Sequence, residues 1–508
     1  METIRIGKRG IGKGFPVFVI AEAGANWRIS NNQQVNKQHA FRLIDIAVAA
    51  KADAVKFQLY TAKKLYAKKA GAADYIGKKK SIYDIIKEME LPVNWLRDLK
   101  KYCEKKNIMF LCTPFDEASV DALERVGMPA YKIASYSLTH TPLLTYIARL
   151  KKPIIMSTGA SDFSDVRTAI EVIRATGNDQ IALMQCTAKY PAPLSALHLR
   201  VIPMLIQEFK VPVGLSDHSR EPYIGPVGAV ALGAKVIEKH YTTDNALPGP
   251  DHGFAILDNE LVELVKQIRM MEESLGTDKK TVHAAEKELH AFTRPGIFAT
   301  KKIRKGEKLS AKNTAVLREG KMYNPNILLA EHLEGIIGVK ASRNIKPDEG
   351  VTRTHLFNPK HFATRKLKSS DSLALWKIRN TESVRKVSNN SAPIPKASHT
   401  QWFAQYIKNP KNNCFVITYE NKVAGYCRID SGLVSIAIDP LFQGMGLGKK
   451  LLTSSVQQAS QQIKTITATI HKKNEASLKL FTSVGFTIVS GNKEVSHLEY
   501  RNERAVRT

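Results

Sequence analysis

The chain has 508 residues, 43% of them apolar and 24% charged, and 76 basic against 47 acidic residues give a net charge of +29. The length exceeds a typical domain of about 150 residues several times over, so more than one soluble globular domain is expected. Two classes are excluded: no apolar run approaches the ~18 residues of a membrane span, and the cysteines (Cys103, Cys112, Cys186, Cys414, Cys427) lack the C-x-x-C pairing of a disulfide or structural zinc framework.

METIRIGKRG carries charge with no apolar stretch behind it, so no secretory signal is expected and a cytoplasmic location is. The basic residues fall in short clusters (Lys78 to Lys80, Lys301 to Lys305, Lys472 and Lys473), with no zinc-finger spacing, aromatic RNP run or basic heptads. They read as a solvated surface that attracts anionic substrates, with no specific nucleic-acid partner and no membrane.

Residues 1–285 repeat one rhythm, a short apolar run followed by an amphipathic stretch. The runs are FPVFVIAEAG, ADAVKFQ, IMFLCTP, AYKIAS, KPIIMSTG, QIALMQCT, VPVGLSDH and AKVIEKHY. Most are too continuously apolar for a half-exposed sheet, so they predict parallel strands buried on both faces. Between them lie helical stretches such as SDFSDVRTAIEVIRATG, where Ser161 or Ser164 is the expected cap and Gly177 the stop. Eight strand–helix units in about 250 residues make a (β/α)8 barrel, an α/β fold. An open doubly wound sheet is the competing architecture.

Each run turns polar at its end: Glu22, Lys56 and Gln58, Thr113, Lys132 and Ser135, Ser157 and Thr158, Gln185 and Thr187, Ser216 to His218, Glu238 to His240. A barrel gathers its active site at the C-terminal mouth of its strands, so these ends predict one converging site. Lys56 and Lys132, with hydroxyls from Ser135, Ser157, Thr158 and Ser216, suit a phosphorylated anion. His218 and His240 close neighbouring strands and suit a divalent first-row ion such as manganese, with open positions for substrate oxygens. His252 is expected as a substrate contact or a structural group.

Residues 290–357 then read as a short β-rich module, in which KKIRKGE and RNIKPDEG form a small pseudo-repeat. Residues 358–372 read as a polar, basic linker, and residues 373–508 as a third domain whose tail, RNERAVRT, is expected to be disordered. In that domain LVSIAIDPLFQGMGLGKKLL combines a strand, a glycine turn and a helix start. Gln443, Gly444, Gly446 and Gly448 would aim backbone N–H groups at a pyrophosphate.

The first 357 residues resemble the sialic acid (nonulosonic acid) synthases, which join a (β/α)8 barrel to an antifreeze-like (SAF) domain. The resemblance is carried by IAEAGAN at Ile20 to Asn26, VKFQ at Val55 to Gln58, TPF at Thr113 to Phe115, YKIAS at Tyr131 to Ser135 and MSTG at Met156 to Gly159. GLSDH at Gly214 to His218, IEKH at Ile237 to His240 and PGPDH at Pro248 to His252 complete it. It implies condensation of phosphoenolpyruvate with an N-acylated amino sugar. Lys56, Thr113, Lys132, Ser135, Ser157 and Ser216 would then hold phosphoenolpyruvate, and His218 and His240 would hold manganese (or magnesium or cobalt). Glu22 would position or deprotonate the water, with Asp251 as a further catalytic group. Gln58, Tyr190 and Glu238 would contact the sugar. Arg318, in VLREG, would bind the sugar's N-acyl group across a homodimer, although Glu319 stands where that family has proline. Further departures are Trp27, Gln185 (for the histidine of HCT), Ser137 and Ala188, all expected on the sugar side.

Residues 366 to 500 resemble the GNAT acyl-CoA N-acetyltransferases through the glycine loop and NEASLKLFTSVGF, Asn474 to Phe486. The resemblance implies acetyl-CoA as co-substrate, with Asn474 on the pantetheine arm. IRNTESVRKVS and HTQWF (His399 to Phe403) resemble members that acetylate nucleotide-linked amino sugars. Phe481 stands where many members carry a general-acid tyrosine. The expected whole is a bifunctional enzyme. N-acetylmannosamine is the sugar favoured by PGPDH, and 2,4-diacetamido-trideoxy-hexoses leading to legionaminic or pseudaminic acid are the alternative, with a coenzyme-A-binding or non-catalytic third domain. A Schiff-base aldolase using Lys132 and a glycan-binding scaffold are the competing classes.

Overall fold

The computed structural model describes residues 3–71, 81–320, 324–388, 390–409, 412–492 and 494–501. The Lys78 to Lys80 cluster and the tail after Arg501 lie outside the described residues. The chain forms two compact units, Met1–Lys279 and Lys280–Thr508. Among the described residues no helix is long and apolar enough to cross a membrane.

In the first unit all eight apolar runs are strands: β1 (Phe18–Gly24), β2 (Ala54–Leu59), β3 (Met109–Pro114), β4 (Tyr131–Ile133), β5 (Ile154–Ser157), β6 (Ile181–Cys186), β7 (Val213–Asp217) and β8 (Val236–Thr242). Their order is β3-β2-β1-β8-β7-β6-β5-β4, parallel throughout. β3 and β4 lie side by side and bring the sheet round to a near-closed barrel. The helices stop and start on local chemistry. Asp162, rather than Ser161 or Ser164, caps Phe163–Ala175, because its carboxylate accepts from both Ser164 and Asp165 N–H while Asp165 answers as a capping box. Gly177 follows in the left-handed region, as a helix stop requires.

Because side chains alternate along a strand, each polar strand end splits into inward and outward members. Lys56 and Gln58 face the barrel interior while Phe57 packs in the surrounding core. On β7 and β8, Ser216, His218, Glu238 and His240 face inward. Asp217 and Lys239 between them pair at 2.6 Å. Lys239 Nζ also donates to the carbonyls of Ser219 (2.6 Å) and Glu221 (2.8 Å), so a lysine only 1% exposed is fully satisfied. It is a structural tie. Lys239→Met should therefore destabilise the barrel by about 3–5 kcal/mol, since it strands the buried Asp217 carboxylate. Urea unfolding measures this, and a loss below about 1 kcal/mol would mean that Asp217 finds other partners.

The second unit opens with β9 (Pro295–Ala299) antiparallel to β10 (Thr314–Arg318). The two halves of the pseudo-repeat meet at Ile303 and Ile345, each N–H donating to the other's carbonyl at 3.0 and 2.9 Å. A seven-stranded sheet follows, in the order β11 (Phe362–Lys366), β12 (Asn413–Tyr419), β13 (Lys422–Asp430), β14 (Leu433–Ile438), β15 (Thr465–His471), β17 (Val495–Arg501), β16 (Thr487–Gly491). Within the stretch read as a linker, Phe362–Lys366 is the first strand of this sheet. Phe362 is buried, and Arg365 makes a two-pronged pair with Asp371 at 2.7 and 2.8 Å. One apolar core runs through both parts of the unit, joining Ile297, Ile345 and Phe357 to Phe442, Leu451 and Ile466.

Candidate active site

The inward strand ends of the barrel enclose a cavity of about 160 Å³. Lys56, Thr113, Lys132, Ser135, Ser157 and Ser216 all line it, as do Glu22, Gln58, Tyr190, His218, Glu238, His240 and Asp251. Two lysines and two carboxylates among them, Lys56, Lys132, Glu22 and Glu238, form one charge network. Lys56 Nζ lies 2.7 Å from Glu22 Oε2 and 3.7 Å from Glu238 Oε2, and donates to Thr113 Oγ1 at 3.2 Å. Lys132 Nζ donates to Ser157 Oγ at 2.6 Å and lies 3.6 Å from Glu238 Oε1, which accepts from Ser216 Oγ at 2.9 Å. Gln58 Nε2 donates to Glu22 Oε1 at 2.7 Å, and Ser135 Oγ accepts the Gly159 N–H at 3.0 Å.

Burial acts on every member, and neighbouring charge decides which yields. Burial raises the Glu22 pKa, and the adjacent Lys56 offsets this only in part. For Glu238 burial is outweighed by Lys132 and Lys56, which hold its carboxyl below the ordinary range. Lys56 is held above the ordinary ammonium value because Glu22 and Glu238 overcome its burial. Lys132 is pulled down by burial that Glu238 does not fully offset. The cavity thus holds a cation whose charge is under-compensated, a ready partner for an anionic ligand.

The rings of His218 and His240 lie 5.4 Å apart, with His240 beside Glu22 in the register of β8 and β1. His218 Nδ1 lies 2.9 Å from the Thr187 carbonyl, which only accepts, so Nδ1 carries a proton and Nε2 is the nitrogen left to face a ligand. Burial pulls the His218 pKa down, but Cys186, with Sγ 3.7 Å from Nδ1, and the Thr187 carbonyl outweigh it and hold the ring above the ordinary value. Burial, then the nearby His218, drives the His240 pKa well down, leaving a neutral imidazole. Its Nδ1 is buried without a hydrogen-bond partner, 3.6 Å from Asp251 Oδ2. A side chain at Gly24 would fill the space between them, meeting Asp251 Oδ2 at 2.8 Å and Glu22 Oε1 at 3.4 Å. An unpartnered imidazole nitrogen near a carboxylate is a donor set that a divalent cation fits. Among the described residues no group of three or more His, Cys, Asp or Glu is arranged to hold a metal ion.

Other sequence candidates lie elsewhere. His252 is fully buried and bound through Nδ1 to Thr242 Oγ1 at 2.6 Å, outside the cavity lining. Trp27 stacks edge-on against Trp95, Gln185 Nε2 donates to the Leu197 carbonyl, and Ser137 is buried; none of the three lines the cavity. Arg318 lies exposed at the end of β10 in the second unit. Sequence reading missed the aromatic and apolar members. Tyr60, Tyr66 and Tyr136 line the cavity, Tyr136 remaining 55% exposed, and Leu65, Ile85, Ile86, Met89 and Phe115 form an apolar wall. Tyr60, Phe115 and Tyr136 directly follow the FQL, TP and IAS strand ends, which was a signal; Leu65, Ile85, Ile86 and Met89 sit in or just after short helices beyond β2 and carry none.

In the second unit Gly444 and Gly446 both adopt left-handed conformations (φ +77° and +75°) with open space around them. They lead into the helix Leu447–Ala459, whose first N–H groups have no partner within the helix. Gly448 is a close approach instead, since a side chain there would meet Leu480 at 3.2 Å. Gln443 Nε2 donates to the Ile438 carbonyl. Beside the loop, β14 and β15 share a single ladder pair, Leu433 with Thr467, so the two parallel strands part beyond it. Asn474 caps Glu475–Thr482 through Ser477 N–H, and Phe481 is buried against Phe486.

Residues 43–280 match the NeuB family, residues 294–356 the SAF domain and residues 376–486 the acetyltransferase (GNAT) family. The chain is 44% identical over 367 residues to the spore coat polysaccharide biosynthesis protein SpsE of Bacillus subtilis, a match covering 69% of this chain and 96% of that protein. It is 37% identical to the N,N'-diacetyllegionaminic acid synthase of Campylobacter jejuni, over 65% of this chain and 98% of the relative. The crystal structure of the N-acetylneuraminic acid (sialic acid) synthetase of Leptospira borgpetersenii, in complex with citrate, is similar with a TM-score of 0.51 and 33% identity, over 57% of this chain and 95% of that one.

Proposed function

The chain belongs to the NeuB family of sialic, legionaminic and pseudaminic acid synthases and carries SAF and GNAT domains besides, and from that premise we propose that its barrel condenses phosphoenolpyruvate with an N-acylated amino-sugar aldehyde. C3 of the enol bonds to the aldehyde carbon, water adds at C2, and the tetrahedral intermediate breaks its C2–O bond to release phosphate and leave a 2-keto acid. The observation that carries this reading is the convergence of Lys56, Lys132 and the hydroxyls of Thr113, Ser135, Ser157 and Ser216 on one cavity. Two lysines and a set of donors match a ligand bearing both phosphate and carboxylate. Glu22, its pKa raised by burial, orients the water and takes its proton. Glu238 holds the two lysines apart and in register. Asp251, Gln58 and Tyr190 face the sugar. His218 and His240 would hold manganese, magnesium or cobalt, which supplies Lewis-acid polarisation of the aldehyde oxygen.

We assign Arg318 to the N-acyl group of a sugar bound in the partner subunit, and hence a homodimer. A cytoplasmic site of action follows from the two co-substrates. The apolar wall of Leu65, Ile85, Ile86, Met89 and Phe115 favours the second of the two sugar classes, a 2,4-diacetamido-2,4,6-trideoxy-hexose, whose methyl groups would lie against it. The likeness to a diacetyllegionaminic acid synthase points the same way.

For the GNAT domain we propose acetyl-CoA-dependent N-acetylation of an amino sugar. Gln443, Gly444, Gly446 and Gly448 form the loop that would receive the pyrophosphate. The parted strands β14 and β15 expose backbone groups suited to an amide-bearing arm, with Asn474 at the start of the next helix. The buried Phe481 has no proton to give, which favours a second reading in which the domain binds coenzyme A without a general acid of its own.

Phosphate release and 2-keto-acid formation are to be measured with manganese, phosphoenolpyruvate and, in parallel, N-acetylmannosamine and the two 2,4-diacetamido-2,4,6-trideoxy-hexoses, with His218→Ala as control. Turnover of a trideoxy sugar, lost in the control, is the expected result. Turnover of N-acetylmannosamine alone overturns the assignment of the apolar wall, and turnover of none overturns the synthase reading.

A further inference from the structure

The glycine loop of the third domain begins directly after a short turn, Pro440–Phe442, and that turn is held from outside its own domain. Arg353, in the last helix of the SAF module (Arg353–Leu356), sends Nε to the Leu441 carbonyl at 2.9 Å and Nη2 to the Pro440 carbonyl at 3.0 Å. His332, also of the SAF module, lies 3.3 Å from the same Nη2. On the other side Asp439 caps the turn, accepting the Leu441 N–H at 2.9 Å. Phe442 packs against Phe357 and Phe362, the residues through which the chain leaves the SAF module, at 4.7 and 5.7 Å between ring centres. The far side of the loop is tied to the same segment, because Lys450 Nζ, in the first turn of Leu447–Ala459, donates to the Phe362 carbonyl at 2.5 Å. Residues 443–449 therefore span two anchor points, both fixed by the SAF module and its exit strand.

A guanidinium that bonds two successive carbonyls fixes two peptide planes at once, because its fork is planar and rigid. Those planes set the direction in which the next residues leave. Gly444 and Gly446 supply no steric guidance of their own, since both have open space around them. Orientation of the loop's N–H groups must then come from its ends. We infer that Arg353 of the SAF module positions the glycine loop for the coenzyme A pyrophosphate, so that the second module sets the acetyl-donor affinity of the third. This rests on the proposal that the third domain binds acetyl-CoA. Arg353 is a positioning residue: it acts through the Pro440 and Leu441 carbonyls and does not reach the ligand.

The test is calorimetric titration of the full-length chain with coenzyme A, using the wild type, Arg353→Ala, Arg353→Lys and, within the loop, Gly446→Val. Thermal unfolding of each is followed alongside. Wild type and Arg353→Lys should differ by a few-fold, because a lysine reaches one carbonyl. Arg353→Ala should bind about tenfold more weakly, the equivalent of one lost charge-assisted hydrogen bond, and Gly446→Val should not bind. Should Arg353→Ala fail to fold, the Arg353→Lys ratio decides. A role in stability alone would lower the unfolding temperature while leaving the dissociation constant of the folded protein within twofold of wild type, and that result overturns the inference. Absence of binding by the wild type itself overturns the acetyl-CoA reading on which it stands, which the variant ratios cannot do.

Discussion

Replacing Lys56 with methionine is expected to remove synthase activity by about three orders of magnitude and to destabilise the barrel by about 3–5 kcal/mol. Lys56 is buried, 2.7 Å from Glu22, and is the only lysine within ion-pair distance of that carboxylate among the described residues. Glu238 keeps Lys132 at 3.6 Å, but Glu22 keeps only the neutral donor Gln58. A carboxylate left alone at that depth escapes its penalty by taking up a proton. Burial already raises its pKa with Lys56 present, and loss of the lysine raises it further. A carboxyl whose folded pKa lies above its unfolded value binds more protons in the folded state, so stability falls as pH rises through the folded value. The deficit of Lys56→Met should therefore be smallest in acid, where Glu22 is protonated, and grow as pH rises through the raised Glu22 value. Adding Glu22→Gln should restore most of the stability at the higher pH without restoring phosphate release. Those two readouts separate the electrostatic role of Lys56 in the fold from its role toward the anionic substrate. A Lys56→Met protein with wild-type turnover would remove Lys56 from the site.

The barrel was legible because parallel strands covered on both faces have no room for polar residues until they reach the mouth. ADAVKFQ and AKVIEKHY therefore announce both a strand and the place where it ends. The same rule misleads at one step, since Asp217 and Lys239 sit in the same polar ends as His218 and His240. Only the two-residue period assigns the first pair to the outside and the second to the cavity. The apolar wall was illegible for a related reason: Ile85, Ile86 and Met89 belong to a short amphipathic helix, and nothing local distinguishes a residue packed on the core from one lining a cavity. The strand Phe362–Lys366 was hidden by its charges. It lies at the edge of its sheet, where Arg365 and Lys366 are acceptable and even protective, so a basic stretch that reads as a linker pairs along its length with Asn413–Tyr419. Of the departures expected on the sugar side, Trp27 packs on Trp95, Gln185 donates to the Leu197 carbonyl and Ser137 is buried, and none of these three lines the cavity.

His240→Ala carries the other large effect. With the His240 ring gone, the site keeps one imidazole, His218, and the Asp251 carboxylate loses the ring nitrogen 3.6 Å from it. Manganese affinity, read from the electron paramagnetic resonance of free manganese, should fall at least a hundredfold, and turnover by about a thousandfold, the several kcal/mol that polarisation of an aldehyde oxygen supplies. Phosphoenolpyruvate binding should survive, because Lys56 and Lys132 keep their own bonds to Glu22, Thr113 and Ser157, none of which involves His240. Stability should change little or rise. The unpaired nitrogen contributes no hydrogen bond to lose, and a buried polar atom without a partner is itself a cost to the folded state. That combination is diagnostic. A histidine kept for structure would lower the unfolding temperature when removed and leave metal binding alone, whereas one kept for a cation does the reverse. Wild-type protein treated with a chelator should lose turnover and regain it on adding manganese, while His240→Ala should not respond. Unchanged manganese binding in His240→Ala would move the metal away from this pair and leave the orphaned nitrogen to be explained by the sugar.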